Sequence, residues 1–401
     1  MQNNYKPIGK YIRLVDRRNA DLTTKTLLGL TVSKQFIPSV ANIIGTDMAN
    51  YKVISRNQFA CSTMQVRRDK KMPVALLKDW DAAIISPAYP VFEVVDEQVL
   101  LPDYLMMWFS RTEFDREACF HAIGGVRGSL EWEDFCNMRL PVPSIEKQRA
   151  IIAEYNVIKD RITLNNRLIQ KLEETAKAIY NHWFVDFEFP DKQGKPYKSN
   201  GGEMINSELG PIPKGWKVGT VKDYCVEIKS GGTPSREIAN YWNRQDIPWL
   251  KTGEIHNNIL IQSEEFISQS GYDSSSAKIL PKDTILMAMY GATAGQLGIL
   301  KFEASTNQAC CGMICKNQLY ASFLYYYLLK NQQYIKSQAI GGAQDNLSKN
   351  FIESFPILIP TNYLIENYVL KKLIDYTEVL TIEIKFLENL ETLILTKMSN
   401  Q

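Results

Sequence analysis

The sequence predicts an α+β protein with two similar globular domains, separated by two long antiparallel α-helices that form a coiled-coil spacer. Three observations support this prediction. The chain contains a diverged internal repeat, each copy of the repeat is followed by a heptad pattern, and short β-rich runs alternate with helical patches inside each copy. At 401 residues, the chain is long enough for more than one folding unit.

The internal repeat is clearest in two glycine-rich turns. Gly124–Leu130 reads GGVRGSL, and Gly341–Leu347 reads GGAQDNL. Further segments match in the same order and at similar separations: Phe135–Pro143 with Ile352–Pro360, Leu100–Phe109 with Leu319–Leu328, and Tyr51–Phe59 with Ala277–Ile285. Matches in one order indicate a tandem duplication, and therefore a pseudo-two-fold internal repeat.

A heptad pattern follows each globular copy. Apolar residues recur at alternating steps of four and three from Ile151 to Trp183, with Asn165 as the polar member of the series. The same spacing returns from Val369 to Ile394, where Glu383 occupies the place that Asn165 has in the first series. Such a pattern is typical of long helices that pair along a seam.

The second heptad pattern has a wider apolar face than one partner requires. Its additional apolar residues are Val379, Ile382, Phe386 and Leu393. This width favours paired helices over the alternative, in which each helix is an ordinary amphipathic helix packed on its own domain.

These patterns divide the chain into five segments. We expect a first globular domain at residues 1–143, a central helix at 144–186, a linker at 187–214, a second globular domain at 215–360 and a C-terminal helix at 361–401. Proline and glycine with few apolar residues indicate the linker.

The sequence lacks the common motifs of nucleotide-binding enzymes and amino-methyltransferases. It has no phosphate-binding GxxxxGK[ST] loop, no GxGxxG after a strand and no Asn/Asp-Pro-Pro-Tyr/Phe motif of amino-methyltransferases. His121 and His256 have no cysteine or carboxylate at metal-ligand spacing, and His182 lies in the central helix. The sequence therefore favours recognition or scaffolding over catalysis, and predicts no metal site.

The composition leaves nucleic-acid binding open. The formal net charge of +2 does not indicate a strongly basic domain, but binding depends on where the charges lie. No apolar run is long enough for a transmembrane helix, and the N-terminus lacks the apolar core of a signal peptide. We therefore expect a cytoplasmic protein with reduced cysteines and no membrane partner.

Three stretches carry a family resemblance. Lys171–Phe187, with Trp183-Phe184 and Phe187 at its end, resembles the central helix of specificity subunits of type I restriction–modification enzymes. Ile228–Arg236 reads IKSGGTPSR and resembles the opening of a target recognition domain in that family, as do the Tyr241-Trp242 and Ile247–Trp249 that follow it. Leu140–Ile151 resembles the entry to the central helix.

The resemblance implies a non-catalytic subunit. Each of the two target recognition domains would read one half of a bipartite, asymmetric double-stranded DNA site, and the paired helices would set the half-site spacing. Two methyltransferase subunits would dock on the helices, and restriction subunits would join them. S-adenosylmethionine, ATP and Mg²⁺ are then expected on the partner subunits, with no cofactor in this chain.

The sequence departs from the family pattern in three places. The second helix entry has no glutamine equivalent to Gln148, and the second helix lacks the Trp-Phe-x-x-Phe ending. The first domain lacks a Gly-Gly-Thr-Pro opening. These departures bear on whether the two partner subunits dock in the same way.

Candidate DNA contacts are basic side chains for phosphates and polar side chains for base edges. They are Arg67, Arg68, Lys70, Lys71 and Arg127 in the first domain, and Thr233, Ser235, Arg236, Gln296, Gln344 and Asn346 in the second. We expect the Gly-Gly turn before Thr233 to bring backbone N–H groups close to a phosphate. The alternatives are a solvated turn for the basic cluster and backbone capping for the amides.

The apolar end of the central helix suggests a docking patch. Trp183, Phe184 and Phe187 are candidate contacts for the methyltransferase partner, with core packing as the alternative. Two other function classes remain open for the chain. One is a coiled-coil scaffold that binds only proteins, and the other is a nuclease or methyltransferase that acts alone.

Overall fold

The computed structural model describes residues 5–40, 45–64, 66–122, 128–339, 346–367 and 369–400. The chain divides into two compact units. Unit 1 consists of Met1–Ile162 and Phe386–Gln401, and unit 2 consists of Thr163–Lys385. Each unit therefore combines one globular part with segments of both long helices.

Unit 1 is a mixed α and β structure. Its strands are β1 (Tyr5–Pro7), β2 (Ile12–Val15), β3 (Leu28–Leu30), β4 (Phe36–Pro38), β5 (Lys52–Ser55), β6 (Phe59–Cys61), β7 (Val74–Leu76), β8 (Ala82–Ile85), β9 (Val91–Val94) and β10 (Arg139–Pro141). Its helices are α1 (Val66–Asp69), α2 (Pro102–Phe109), α3 (Thr112–His121), α4 (Trp132–Asn137) and α5 (Ile145–Tyr180), and α5 continues into unit 2.

Unit 2 has the same character. Its strands are β11 (Met204–Ser207), β12 (Gly210–Pro213), β13 (Lys217–Thr220), β14 (Glu227–Ser230), β15 (Ile247–Leu250), β16 (Asn258–Leu260), β17 (Glu265–Ile267), β18 (Ile285–Ala288), β19 (Leu297–Leu300), β20 (Ser305–Thr306), β21 (Cys310–Ile314) and β22 (Pro356–Ile359). Its helices are α6 (Val221–Tyr224), α7 (Gln269–Asp273), α8 (Gln318–Lys330), α9 (Gln332–Ser337), α10 (Lys349–Ser354), α11 (Asn362–Ile365) and α12 (Val369–Lys397), and α12 continues into unit 1.

The two units share one strand order. Unit 1 has a four-stranded sheet in the order β2-β9-β6-β7, and unit 2 has a five-stranded sheet in the order β14-β21-β18-β19-β16. In each unit the first strand of the globular part pairs antiparallel with its last strand, β1 with β10 and β13 with β22. The predicted α+β repeat is therefore present in the sheet topology.

Aromatic side chains fill both cores. In unit 1 the rings of Phe59 and Phe92 stack with their centroids 5.0 Å apart. In unit 2 helix α8 is buried along Tyr320–Leu328, and it begins where the Asn317 side chain accepts the backbone N–H of Leu319 at 3.0 Å. A helix with apolar residues on all sides belongs in the middle of a core.

The heptad seam predicted for α5 is confirmed. This helix has 36 residues, which corresponds to a length of about 54 Å. Every predicted seam position from Ile151 to Ile179 is buried or half-buried, including the completely buried Asn165, and so is Trp183 in the helical turn that follows α5. Most other positions of the helix are exposed, so the 4-3 spacing identified its packing face correctly.

The seam predicted for α12 is partly wrong. Tyr376 and Leu390, two of its predicted members, are 64% and 47% exposed. Leu370, Ile374 and Thr377 are buried instead. The helix has apolar residues on more than one side, so the heptad count alone did not show which side packs.

In each unit, one end of α5 lies beside the opposite end of α12. In unit 1 the Tyr155 hydroxyl, near the start of α5, donates to Glu391 near the end of α12 at 2.8 Å. In unit 2 Tyr180, the last residue of α5, shares the core with Leu370 at the start of α12. None of the helices in the described ranges is long and apolar enough to cross a membrane.

The segment that we expected to be a linker, residues 187–214, is folded. Strands β11 and β12 form an antiparallel hairpin within it, and Pro190 bridges to Pro196. Phe189 and Ile212 are buried in the core of unit 2. Its proline and glycine residues lie in a segment with few apolar residues, but this segment is ordered and contains strands and turns.

Gln148 ties the start of α5 to unit 1. Its completely buried side chain accepts the backbone N–H of Leu101 at 2.9 Å, and donates to the carbonyls of Val99 at 2.8 Å and Pro143 at 2.9 Å. All of these backbone groups would lose a partner if the amide were removed.

We predict that Gln148→Ala lowers the free energy of unfolding by about 2 kcal/mol, because unsatisfied buried polar groups are costly. Urea unfolding followed by circular dichroism measures this change. Gln170→Ala is the matched control, because Gln170 is an exposed residue of the same helix. Equal stability of the two variants would contradict the anchoring role of Gln148.

Candidate nucleic-acid interface

Three loops of unit 2 meet at one edge of its five-stranded sheet. Antiparallel pairing places Ser230 opposite Cys311, and Ala288 opposite Cys310. Met287 likewise pairs with Leu297. The loops at residues 231–236, 289–296 and 307–309 therefore leave the sheet at the same edge, which we call the reading edge of unit 2.

A fourth segment joins this reading edge. Asn346 forms an antiparallel bridge with Tyr290, and the next residue, Leu347, donates its backbone N–H to Met289 at 2.8 Å. The hydroxyl of Thr233 donates to the side chain of Gln308. The structure thus brings together loops that carry the predicted contacts Thr233, Gln296 and Asn346, and Gln344 lies outside the described residues.

Tyr290 and Gln308 were not among the predicted contacts. Tyr290 is 39% exposed, and Gln308 is an exposed residue. A single glutamine between Asn307 and Ala309 gives no local signal, because only long-range pairing brings it beside Thr233. Hydroxyl and amide groups of this kind can hydrogen-bond base edges in a DNA groove.

The loop at residues 289–296 has a fixed shape. The Gln332 side chain donates to the Gly295 carbonyl at 2.8 Å and to the Asn257 side-chain oxygen at 2.7 Å. That oxygen also accepts the backbone N–H of Leu297 at 2.9 Å. Gly291 and Gly295 have φ of +68° and +81°, which favour glycine.

The Gly-Gly turn packs differently from our expectation. Gly231 donates its backbone N–H to Cys310 at 3.3 Å, and Gly232 donates to Thr306 at 2.8 Å. A Cβ atom on Gly232 would lie 2.4 Å from the backbone nitrogen of Ala277. The two N–H groups are therefore used inside the fold and not offered to a phosphate, and the glycines allow close backbone packing.

Arg236 is held within unit 2. Its guanidinium forms an ion pair with Glu265 at 2.6 Å and lies 3.5 Å from the ring centroid of Trp242. Trp242 in turn donates its indole N–H to the Ser235 carbonyl at 3.0 Å. Burial opposes ionisation of Glu265, but hydrogen bonds from Lys251 and Arg236 prevail and lower the pKa of this carboxyl. These contacts stabilise the loop, and a DNA contact by Arg236 or Ser235 stays a prediction.

Unit 1 has an equivalent reading edge. Its β6–β7 hairpin corresponds to β18–β19, because β6 pairs with β9 in the same way as β18 pairs with β21. Leu130 donates its backbone N–H to Thr63 at 2.9 Å, as Leu347 does to Met289 in unit 2. Val15 and Ala60 both pair with Val91, so the loop after β2 and the turn after β6 leave at one edge.

The predicted basic cluster lies on the reading edge of unit 1. Arg67 and Arg68 are on α1, Lys70 and Lys71 follow it, and all four residues are exposed. Arg68 pairs with Asp69 at 2.7 Å, and this hydrogen bond raises the pKa of its guanidinium. Arg127 lies outside the described residues.

The loop after β2 adds basic groups that the sequence reasoning missed. Arg17 and Arg18 are exposed at this edge, and Arg18 pairs with Asp16 at 2.9 Å. They were missed because only the pairing of β2 and β6 with β9 places their loop at the same edge as the basic cluster.

The predicted docking patch packs in the core of unit 2. Phe184 is buried, with its ring centroid 5.1 Å from that of Phe323, and Phe187 contacts Trp216 at 5.4 Å between centroids. Trp183 is half-buried beside Phe184. A docking role for these residues stays a prediction, and only Trp183 and Phe187 keep part of their surface exposed.

The described residues contain no group of three or more histidine, cysteine, aspartate or glutamate side chains that could hold a metal ion. Burial raises the pKa of the Cys311 thiol to about 12, and burial raises the pKa of the Cys61 and Cys310 thiols as well. These thiols are therefore protonated and unreactive at neutral pH.

We predict that Gly232→Ala lowers the free energy of unfolding by about 1–3 kcal/mol, because the new methyl group overpacks against backbone atoms. Gly253→Ala is the control, because nothing lies within 4 Å of a Cβ atom at that position. Urea unfolding of both variants measures the difference. If Gly232→Ala were as stable as Gly253→Ala, the packing role of this glycine would be refuted.

Comparisons with known proteins find similarity to type I restriction–modification specificity subunits. Residues 213–391 match the type I restriction modification DNA specificity domain. The chain is 23% identical over 379 residues to the type I restriction enzyme HindI specificity subunit of Haemophilus influenzae, covering 80% of this chain and 82% of that protein. It is 32% identical over 165 residues to the MjaIX specificity subunit of Methanocaldococcus jannaschii, covering 40% of this chain and 37% of that protein.

A solved structure shares the fold. The crystal structure of the S subunit of a type I restriction–modification system from M. genitalium aligns with a TM-score of 0.59 at 14% identity, covering 100% of this chain and 97% of that one. These comparisons confirm the predicted resemblance to specificity subunits of type I restriction–modification enzymes, and the solved structure shows the same fold.

Proposed function

We propose that this chain directs a type I restriction–modification complex to a bipartite, asymmetric DNA sequence, with each unit reading one half of the site. The observation that supports this most directly is the reading edge, which the duplicated topology builds once in each unit. Loops held at a sheet edge can place side chains in a DNA groove with a fixed orientation.

The two reading edges carry different side chains, and this difference supports an asymmetric site. Unit 1 presents basic groups such as Arg67 and Lys71, and unit 2 presents neutral groups such as Tyr290, Gln308 and Asn346. Two edges with unlike hydrogen-bonding groups would select two unlike half-sites.

The long helices would set the half-site spacing. Helix α5 is about 54 Å long, and half-sites one turn of DNA apart are separated by roughly 34 Å. A helix pair is stiffer than a loop of the same length, so it would hold a narrow range of spacings. Two contacts support this role, because Gln148 joins α5 to Leu101 of unit 1 and the hydrogen bond from Tyr155 to Glu391 joins α5 to α12.

Exposed apolar residues on both helices suggest where methyltransferase subunits dock. On α5, Leu164 and Leu168 are 47% and 43% exposed, and on α12, Ile382 and Phe386 are 37% and 66% exposed. The two pairs occupy equivalent places in the two heptad patterns. Equivalent apolar surfaces on two helices would suit two copies of one partner.

The chemistry would then come from the partner subunits. Methyltransferase subunits would bind S-adenosylmethionine and modify adenine, and restriction subunits would use ATP and Mg²⁺ for translocation and cleavage. This chain would recognise the target sequence in cellular DNA, and we expect the complex to act in the cytoplasm.

Mapping methylated adenines in the DNA of the host, with and without this gene, tests the proposed function. We expect methylation at one bipartite sequence with a constant spacer, which disappears when the gene is deleted. An unchanged methylation pattern, together with footprints that show no sequence preference, would favour a protein-binding scaffold instead.

We predict that Leu168→Glu and Phe386→Glu each remove one methyltransferase subunit from the complex, because a charge in an apolar interface is costly to desolvate. The double variant should lose both subunits. Mass photometry of the reconstituted complex measures the stoichiometry. Val226→Glu is the control, because Val226 is 70% exposed and lies elsewhere in unit 2. Full occupancy in the double variant would reject these surfaces.

A further inference from the structure

The two reading edges differ most in charge. The turn after β6 in unit 1, residues 62–73, contains Arg67, Arg68, Lys70 and Lys71 with a single acidic residue, Asp69. Its formal charge is 4 − 1 = +3, although the whole chain carries only +2. This turn of unit 1 therefore carries a local excess of positive charge.

The basic side chains of unit 1 are accessible. Arg67, Lys70 and Lys71 are exposed, and within the described ranges only Arg68 of this cluster has an acidic neighbour at ion-pair distance, Asp69 at 2.7 Å. Arg17 extends the positive surface along the same edge. Accessible cations of this kind can replace the counterions of DNA phosphates.

The loops that form the reading edge of unit 2 are mostly uncharged over their described part, although the exposed Lys336 lies beside Gly295. Residues 289–296 and 307–309 contain no charged residue, and neither do residues 346–348. The loop at 231–236 contains only Arg236, whose guanidinium is paired with Glu265 at 2.6 Å and stacked on Trp242. The groups that this edge offers are hydroxyls and amides, as in Tyr290 and Gln308.

We infer that the two units divide the work of DNA recognition: unit 1 supplies most of the salt-dependent affinity, and unit 2 reads its half-site through neutral hydrogen bonds. This inference rests on the proposed function and adds to it a different physical role for each half. Phosphate contacts dominate affinity and carry no sequence information, whereas base contacts carry the sequence.

The test uses the full chain in its reconstituted complex with methyltransferase subunits and a duplex that carries the mapped methylation site. Binding is measured by fluorescence anisotropy over a series of KCl concentrations. Lys70→Gln/Lys71→Gln should reduce the slope of log K against log[KCl] by about 0.9 for each phosphate that is no longer neutralised, up to about 2. Arg17→Gln/Arg67→Gln provides a second, independent pair in unit 1.

Two controls separate this effect from general charge and from misfolding. Lys192→Gln/Lys195→Gln makes the same change in net charge on an exposed turn of unit 2, and it should leave the slope unchanged. Gln308→Ala/Asn346→Ala should also keep the wild-type slope, but it should lose discrimination against substitutions in one half-site only. Thermal unfolding of each variant shows that it is folded.

The outcomes are distinct. An unchanged slope in both unit 1 pairs, or a reduced slope in Gln308→Ala/Asn346→Ala, would overturn the division of work and leave the proposed function intact. Wild-type complex that binds all duplexes equally would overturn the proposed function itself.

Discussion

The fold depends on the burial of one side of helix α5 from its first turn to its last. A helix of 36 residues with a mostly polar surface gains its stability from packing rather than from intrinsic propensity. Unit 1 packs on its first half through Ile158, and unit 2 packs on its second half through Ala176 and Tyr180. Unit 1 also includes Phe386–Gln401 at the far end of the chain. Unit 1 is therefore assembled from two stretches of the chain that are far apart in the sequence, whereas unit 2 is continuous.

The sequence correctly predicted the packing face of a helix where its apolar residues lie on one side only. Helix α5 has a single apolar side, so its heptad spacing identified the packing face. Helix α12 has apolar residues on several sides, and the same spacing selected Tyr376 and Leu390, which are exposed, over Leu370 and Ile374, which are buried. Periodicity shows that a helix is amphipathic, but the shape of the core decides which of two apolar sides is covered.

The candidate site was predicted in part, because its assembly depends on contacts between distant residues. Residues of one turn, such as Lys70 and Lys71, are recognisable as a basic cluster from their order alone. Gln308 joins Thr233 only through the pairing of β14 with β21, which brings together segments that are far apart in the chain. The Gly-Gly turn was recognised as a motif, but its role was misjudged. Glycine is required at position 232 because the backbone packs closely against Ala277. This contact cannot be predicted from the residues of the turn alone.

The middle of α5 shows that stability alone did not shape the helices. Asn165 is completely buried, and neither polar atom of its amide has a hydrogen-bond partner among the described residues. The adjacent Leu164 and nearby Leu168 are both exposed. Exchanging a buried amide for a leucine, and exposed leucines for polar residues, would favour a single folded chain. In the observed helix the amide is buried and the two leucines are exposed. Ile382 and Phe386 form an equivalent exposed pair on α12. The exposed apolar pairs at equivalent places on both helices are the surfaces proposed above for the methyltransferase subunits.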